Sequence, residues 1–457
     1  LSSQVFLTVV AMLRLASKDT SSRRARRLRA VVVFVGAAVV CAWAAPWASR
    51  EWQFRRHLRT AQIAFDRFVA DNAVGELTAA EKLKPGSAQV QYLLGVANRK
   101  AGHLDNCRPH LNKALELGWP AKEIRFQLLL LAFQAGDRRA ESEIKQIILL
   151  PMADDVAQDT YEALALGYLS EYRIGAADTV IEHWLRWRPK SVRARLLRAE
   201  ILGASRLNQE QLAQFEDVLA IEPDNYAAHL GMAHELLNEH KVDRALQEYR
   251  WCRQHWPGDL SAPLGIAACY THQGKLSEAV QVFRELLREP LLRDQRGHVA
   301  GELGKLLRQT GQMEEAISLL AESVELNPYD QQVEYALALA LAKVGRREEA
   351  EQHSKRSKEL EKLRHALSDK ELIMLNQPSD ADSRYEAGLL LAKLGNPKAS
   401  AAMMLASLRW DPRHTGAHAE LAKYYHGIGR EDLAQQHEAL AAEVADTAGV
   451  AERGGGL

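Results

Sequence analysis

At 457 residues, with 47% hydrophobic and 26% charged residues, the chain is long enough for two or three compact domains or one extended array, and its composition excludes a disordered or fibrous protein. The formal net charge is zero but unevenly placed: the first sixty residues hold 11 Lys or Arg against 2 Asp or Glu, the remainder 48 against 57. A mildly acidic body without a basic stripe interleaved with aromatics argues against nucleic acid as a partner.

Residues 1–29 are expected to form a basic, disordered segment that ends on Arg23, Arg24, Arg26, Arg27 and Arg29. Ala30 to Ala48 is then a run of 19 uncharged residues. As a helix it would be roughly 28 Å long, close to the hydrocarbon thickness of a bilayer, so 30–48 is predicted to be a transmembrane helix in contact with lipid. Trp43, Trp47 and Trp52 gather at its far end like an interfacial belt. Within about twenty residues of each end, seven Lys or Arg precede the span and five come after it, which leans toward a cytoplasmic N-terminus. The expected localisation is a single-pass protein of a bacterial inner membrane, with the rest of the chain outside the cytoplasm. Ala42-Trp43-Ala44 also resembles a signal-peptidase site, so a removable signal peptide stays open beside the uncleaved anchor. A lipoprotein box does not fit, because Val40 rather than a small residue precedes Cys41. The chain opens on Leu1 with its first methionine at Met12, and its true start is open.

From Phe54 onward the punctuation is proline. Pro189, Pro223 and Pro257 fall 34 residues apart, and Pro85, Pro120, Pro151, Pro290 and Pro328 keep nearly the same interval. A proline in a helix interior costs about 3 kcal/mol, so each one is read as the end of a unit rather than part of a helix. Between prolines the pattern repeats. The unit from Gln158 holds Tyr161, Leu164-Ala165, Tyr168, Ala177, Ile181 and Pro189; the unit from Tyr226 holds Met232-Ala233, Leu236, Ala245, Tyr249, Cys252 and Pro257. Leu260 opens a third, with Ile266-Ala267, Tyr270, Gly274, Ala279 and Phe283, and Gly297 a fourth, with Leu303-Gly304, Leu307, Gly311, Ala316, Leu320 and Pro328. Weaker units start near Phe54, Ala88, Lys122, Val192, Gln331, Ala381 and Thr415. Small residues are expected to let paired helices approach, Gly304 facing Ala316 and Ala267 facing Ala279. Glycines such as Gly345 and Gly395 should end first helices in the left-handed conformation.

The array is expected over 54–370, with an overlong final helix because Pro328 to Pro412 spans 84 residues, more than two units need. A C-terminal pair of repeat units is expected at 378–442, and 443–457 is expected to be a flexible tail. No alternating β-branched runs appear, so a sheet is excluded.

These units resemble the tetratricopeptide repeat family. The resemblance implies an all-α fold, a right-handed α-solenoid of about eleven helix pairs behind the one N-terminal transmembrane helix. It implies protein or peptide ligands held on the concave face by first-helix residues. Mapped onto this chain those are Tyr92, Arg99, Lys100, Phe126, Phe133, Glu162, Glu200, His234, Asn238, His272, Lys305, Arg308, Tyr335, Tyr385 and Lys393. The lysine and asparagine pairing of the family's carboxylate-clamp subtype is absent from every unit.

Catalytic and cofactor patterns are absent: no Gly-x-Ser-x-Gly, phosphate loop or dinucleotide fingerprint occurs, and no cofactor or metal is expected. His234-Glu235 lacks the second histidine of a zincin helix, since Asn238 stands there, and His414 with His418 lacks a third ligand. The four cysteines form no Cys-x-x-Cys pair, and a Cys252–Cys269 bridge is open only outside the cytoplasm. The reading is a non-enzymatic, membrane-anchored scaffold serving an envelope assembly. An accessory subunit of a glycosyl-transferring or proteolytic complex, or a self-assembling structural protein, remains the alternative.

Overall fold

The computed structural model describes residues 48–65, 70–148 and 153–454, without the side chains of residue 138 and of 444–454. Among the described residues there are 22 helices and no strand, arranged along the chain as eleven pairs. The chain divides into two compact units, 1–131 and 132–457.

The first unit holds α1 (48–65), α2 (Ala70–Leu83), α3 (Ala88–Lys100), α4 (Leu104–Glu116) and most of α5 (Ala121–Gln134). Phe54, Leu77, Val90 and Leu94 make one core, and Cys107, Leu111, Ile124 and Leu131 a second. The predicted span 30–48 lies outside the described residues except for Ala48. No helix among the described residues is long and apolar enough to cross a membrane.

The second unit continues with α6 (Arg138–Ile147), α7 (Asp154–Ser170), α8 (Ile174–Trp187), α9 (Val192–Ala204), α10 (Asn208–Ile221), α11 (Tyr226–Asn238) and α12 (Val242–His255). It goes on through α13 (Ser261–His272), α14 (Leu276–Leu286), α15 (Arg293–Gln309), α16 (Met313–Leu326), α17 (Gln331–Lys343) and α18 (Arg347–Asn376). It ends with α19 (Ala381–Lys393), α20 (Pro397–Trp410), α21 (Thr415–Gly427) and α22 (Glu431–Gly454). From α7 on, each helix packs on its neighbours in the chain.

Six of the prolines mark a helix start as well as a helix end, because the N-cap of the next first helix stands two residues behind each of them. Ser87, Ser191, Asn225, Asp330, Asp380 and His414 each accept a hydrogen bond from a main-chain N–H of the first turn. At the other end, Gly274, Gly311, Gly345 and Gly395 have φ of +72° to +85°. The next residue then donates to the carbonyl five positions back, as Arg346 does to Leu341 at 3.0 Å, which closes the helix. Tyr172, Arg206 and His240 occupy the same place with φ near +60°, where a side chain carries a cost of about 1 kcal/mol that glycine avoids.

Close packing obeys a spacing of sixteen. Gly95 lies against Leu111, Gly304 against Leu320 and Gly388 against Met404, all within one unit. Gly231 lies against Phe215 and Gly265 against Tyr249, each reaching the unit before. The large side chain of a second helix is thus seated on the glycines of its own first helix or the next. At Gly304 the side chain that gains room is that of Leu320, its Cγ 2.7 Å from where a Cβ would sit.

The overlong helix expected after Pro328 is α18, which is 30 residues long. One expectation changes: the stretch read as a flexible tail from 443 continues α22 as helix to Gly454, in keeping with its Ala and Glu content. Cys252 and Cys269, between which a bridge was left open, are free, buried thiols. Burial pushes them up to about 12 and about 11.

Candidate functional site

In the second unit, first helices also touch one another, α7 with α9, α11 with α13 and α15 with α17. Between α11, α13 and α15 they enclose a cavity of about 590 Å³. His234 and Leu237 come from α11, Leu264, Ala268 and His272 from α13, and His298, Glu302 and Lys305 from α15. Tyr249 of α12 and Phe283 of α14, both buried, close its back. Gly265 permits this, because any Cβ there would overlap the edge of the Tyr249 ring.

The wall is largely apolar, with a few polar groups whose charges nearly cancel. Lys305 Nζ donates to Glu302 Oε1 at 2.6 Å and to Gln332 Oε1 at 3.4 Å, so its charge is matched within the wall. His234 stands edge-on to Tyr249 with ring centroids 5.5 Å apart, and desolvation in that corner lowers its pKa. The His240 and His272 rings are 5.9 Å apart. Imidazole edges, an ammonium and apolar side chains around an open trough suit the backbone and side chains of an extended peptide. Among the described residues no group of three His, Cys, Asp or Glu is placed to hold a metal ion.

Of the residues picked from sequence, the structure brings His234, His272 and Lys305 together in this cavity. Glu200, Asn238, Tyr335 and Lys393 are exposed on their own helices, Tyr335 at 52%. Arg308 and Tyr385 are half-buried, the latter with its ring 4.5 Å from that of His414. Phe133 and Glu162 differ from expectation. Phe133 is buried against Gly167 and Tyr168, and Glu162 is buried under Arg193, whose Nε donates to it at 2.6 Å. In the first unit, Tyr92 stacks on Trp119 at 4.7 Å, and Lys100 and Phe126 are half-buried. Arg99 is 1% exposed, its Nε donating to Gln127 at 2.9 Å. Arg99, Phe133 and Glu162 therefore hold helices together and present no surface to a ligand.

Two sets of residues escaped the sequence reading. His298 lines the cavity seven residues before Lys305, on the first-helix spacing that selected Lys305 itself. The second set is a polar clasp between residues nineteen apart: His229 with Glu248 and His353 with Glu334, both at 2.6 Å, and His418 with His437 at 2.8 Å. His229 and His418 also meet the carbonyls of Pro223 and Pro412, tying the turn before the unit to the unit's own second helix. The recurrence of polar residues at that spacing was the available signal. It accounts for the His414 and His418 pair, whose rings serve a cap and a clasp rather than one ligand.

Residues 263–366 match the tetratricopeptide repeat family, and 230–290 match a second description of the tetratricopeptide repeat. No curated protein matches the chain. Among solved structures it is similar to YrrB, a TPR protein with an unusual peptide-binding site, at 23% identity over 44% of this chain and 95% of that one, with a TM-score of 0.26. It is similar to the APC/C hetero-tetramer Cut9-Hcn1 at 16% identity over 96% of both chains, TM-score 0.33. A third is Pseudomonas aeruginosa pilF, 17% identical over 52% of this chain and 99% of that chain, TM-score 0.34.

Proposed function

With tetratricopeptide repeats at residues 230–366 as the premise, we propose that the chain is a non-catalytic scaffold that binds an extended segment of a partner protein along its first helices. The observation that carries this is the open cavity between α11, α13 and α15, where ring edges, an ammonium and apolar walls face one trough. A crosslinking amino acid placed at Ala268, within the cavity, should join the full chain to a partner protein in its native cells. The same residue at exposed Glu351 should not, and His272→Glu with Lys305→Glu should abolish the product. Equal yield from both positions would refute the groove.

The apolar run 30–48 supports a further part of the proposal, that the scaffold is tethered to a bilayer and serves an envelope assembly from outside the cytoplasm. Deleting 30–48 should release the chain from carbonate-washed membranes, and a reporter fused after Leu457 should be active only outside the cytoplasm. Cytoplasmic activity would reverse the orientation.

A further inference from the structure

In an array of helix pairs each unit touches its neighbours in the chain, and one contact inside the 132–457 unit departs from this. The turn at the end of α7 meets α19 and α20, more than two hundred residues later. Arg384 Nη2 donates to the main-chain carbonyl of Glu171 at 2.8 Å, and Arg409 Nη1 stands 3.9 Å from the Glu171 carboxylate. Gly136, at φ +92°, lies against the Arg409 side chain so closely that a Cβ there would overlap it. Arg384 is fully buried, and the Arg409 side chain is 12% exposed.

We infer that this contact is a latch that sets the span of the groove between its two halves. The segment between Glu171 and Arg384 includes every helix that lines the cavity, so the spacing of α11, α13 and α15 is set within a loop of structure that the latch closes. The chemistry of the closure is that of a reversible contact. Two guanidiniums are desolvated, which lowers the pKa of both, and among the described residues Nε of each together with Nη1 of Arg409 has no hydrogen-bond partner. Glu171, the carboxylate they approach, is already held by Arg173 at 3.2 Å. Burying charge with donors unmatched offsets part of the attraction gained, so the closed state is favoured by a margin small enough for ligand binding to reverse, because opening rehydrates three nitrogens. A contact built for rigidity would instead bury apolar side chains, as each helix pair does.

The regulatory role of the latch rests on the groove reading, whereas the latch itself is measured without any ligand. Spin labels at exposed Thr179→Cys and Lys398→Cys, in the full chain with Cys41→Ser, report the distance between the two sides. Cys107, Cys252 and Cys269 are buried and stay unlabelled. The wild-type contact should give one narrow distance distribution. Arg384→Ala with Arg409→Gln should broaden it and move it to longer distance while helix content is unchanged. If that pair of substitutions reduces helix content, Arg409→Gln alone, which keeps hydrogen-bonding capacity without the charge, supplies the same readout. A variant distribution superimposable on the wild type, or a wild type already broad, would overturn the latch.

Discussion

Gly304→Ala and Gly75→Ala are the same substitution in the interior of two helices, and the structure assigns them opposite signs. Each gains about 1 kcal/mol from replacing the residue that loses most backbone freedom in a helix. At Gly75 nothing lies within 4 Å of the new Cβ, so the gain should be kept. At Gly304 the new carbon would stand 2.7 Å from Leu320 Cγ and 3.2 Å from the Leu320 main-chain nitrogen. Leu320 is fully buried among Met313, Val333 and Leu337, and the nitrogen belongs to a helix, so neither yields without parting α15 from α16. Overpacking of this kind costs about 1–3 kcal/mol, leaving a net loss on the order of 1 kcal/mol. Native-state hydrogen exchange suits the measurement, since an array loses stability locally. Amides of α15 and α16 should exchange faster in Gly304→Ala, and those of α2 slower in Gly75→Ala. Equal stabilisation at both sites would refute the account of glycine as the seat for a second-helix side chain.

Acid should weaken the second unit at two places. Burial opposes charge on Glu141, but hydrogen bonds from Arg173, Lys145 and Tyr168 outweigh it and hold the carboxyl at about 2. A lowered carboxylate stabilises fully above its unfolded value near 4.5 and loses that contribution as pH falls toward 2. Discounted for solvent screening it is worth about 1–2 kcal/mol, so Glu141→Gln should lower the urea midpoint at pH 7 and have little effect near pH 2. His437 is lowered to about 4, first by burial and then by His418. A histidine held neutral in the fold stabilises above its unfolded value near 6.5, so α21 and α22 should lose about 1–2 kcal/mol, again discounted for exposure, between pH 6.5 and 4. His437→Gln should flatten that slope in exchange protection, and an unchanged slope would remove His437 as its cause.

Much of the fold was legible because its signals are local. Proline with Ser, Asn or Asp two residues later stops one helix and caps the next, as at Pro223 and Asn225, whatever lies elsewhere in the chain. A glycine in the left-handed region ends a first helix with the same independence, and the surplus after Pro328 could be counted. Site residues were harder to read. Lys305 and His272 reach the cavity on first-helix spacing, yet Arg99 and Glu162, chosen by the same spacing, are buried by Gln127 and Arg193. Spacing fixes the face of a helix but not how far a neighbouring helix covers it.

The sequence by itself thus determined the repeat length, the helix ends and the all-α class, since each depends on backbone propensities acting over a few residues. Only the tertiary structure decided which aromatic fills which glycine gap, which polar faces stay open, and that Arg384 and Arg409 meet Glu171. Those outcomes depend on the small rotation between successive helix pairs, which adds up along the array and is written in no single unit.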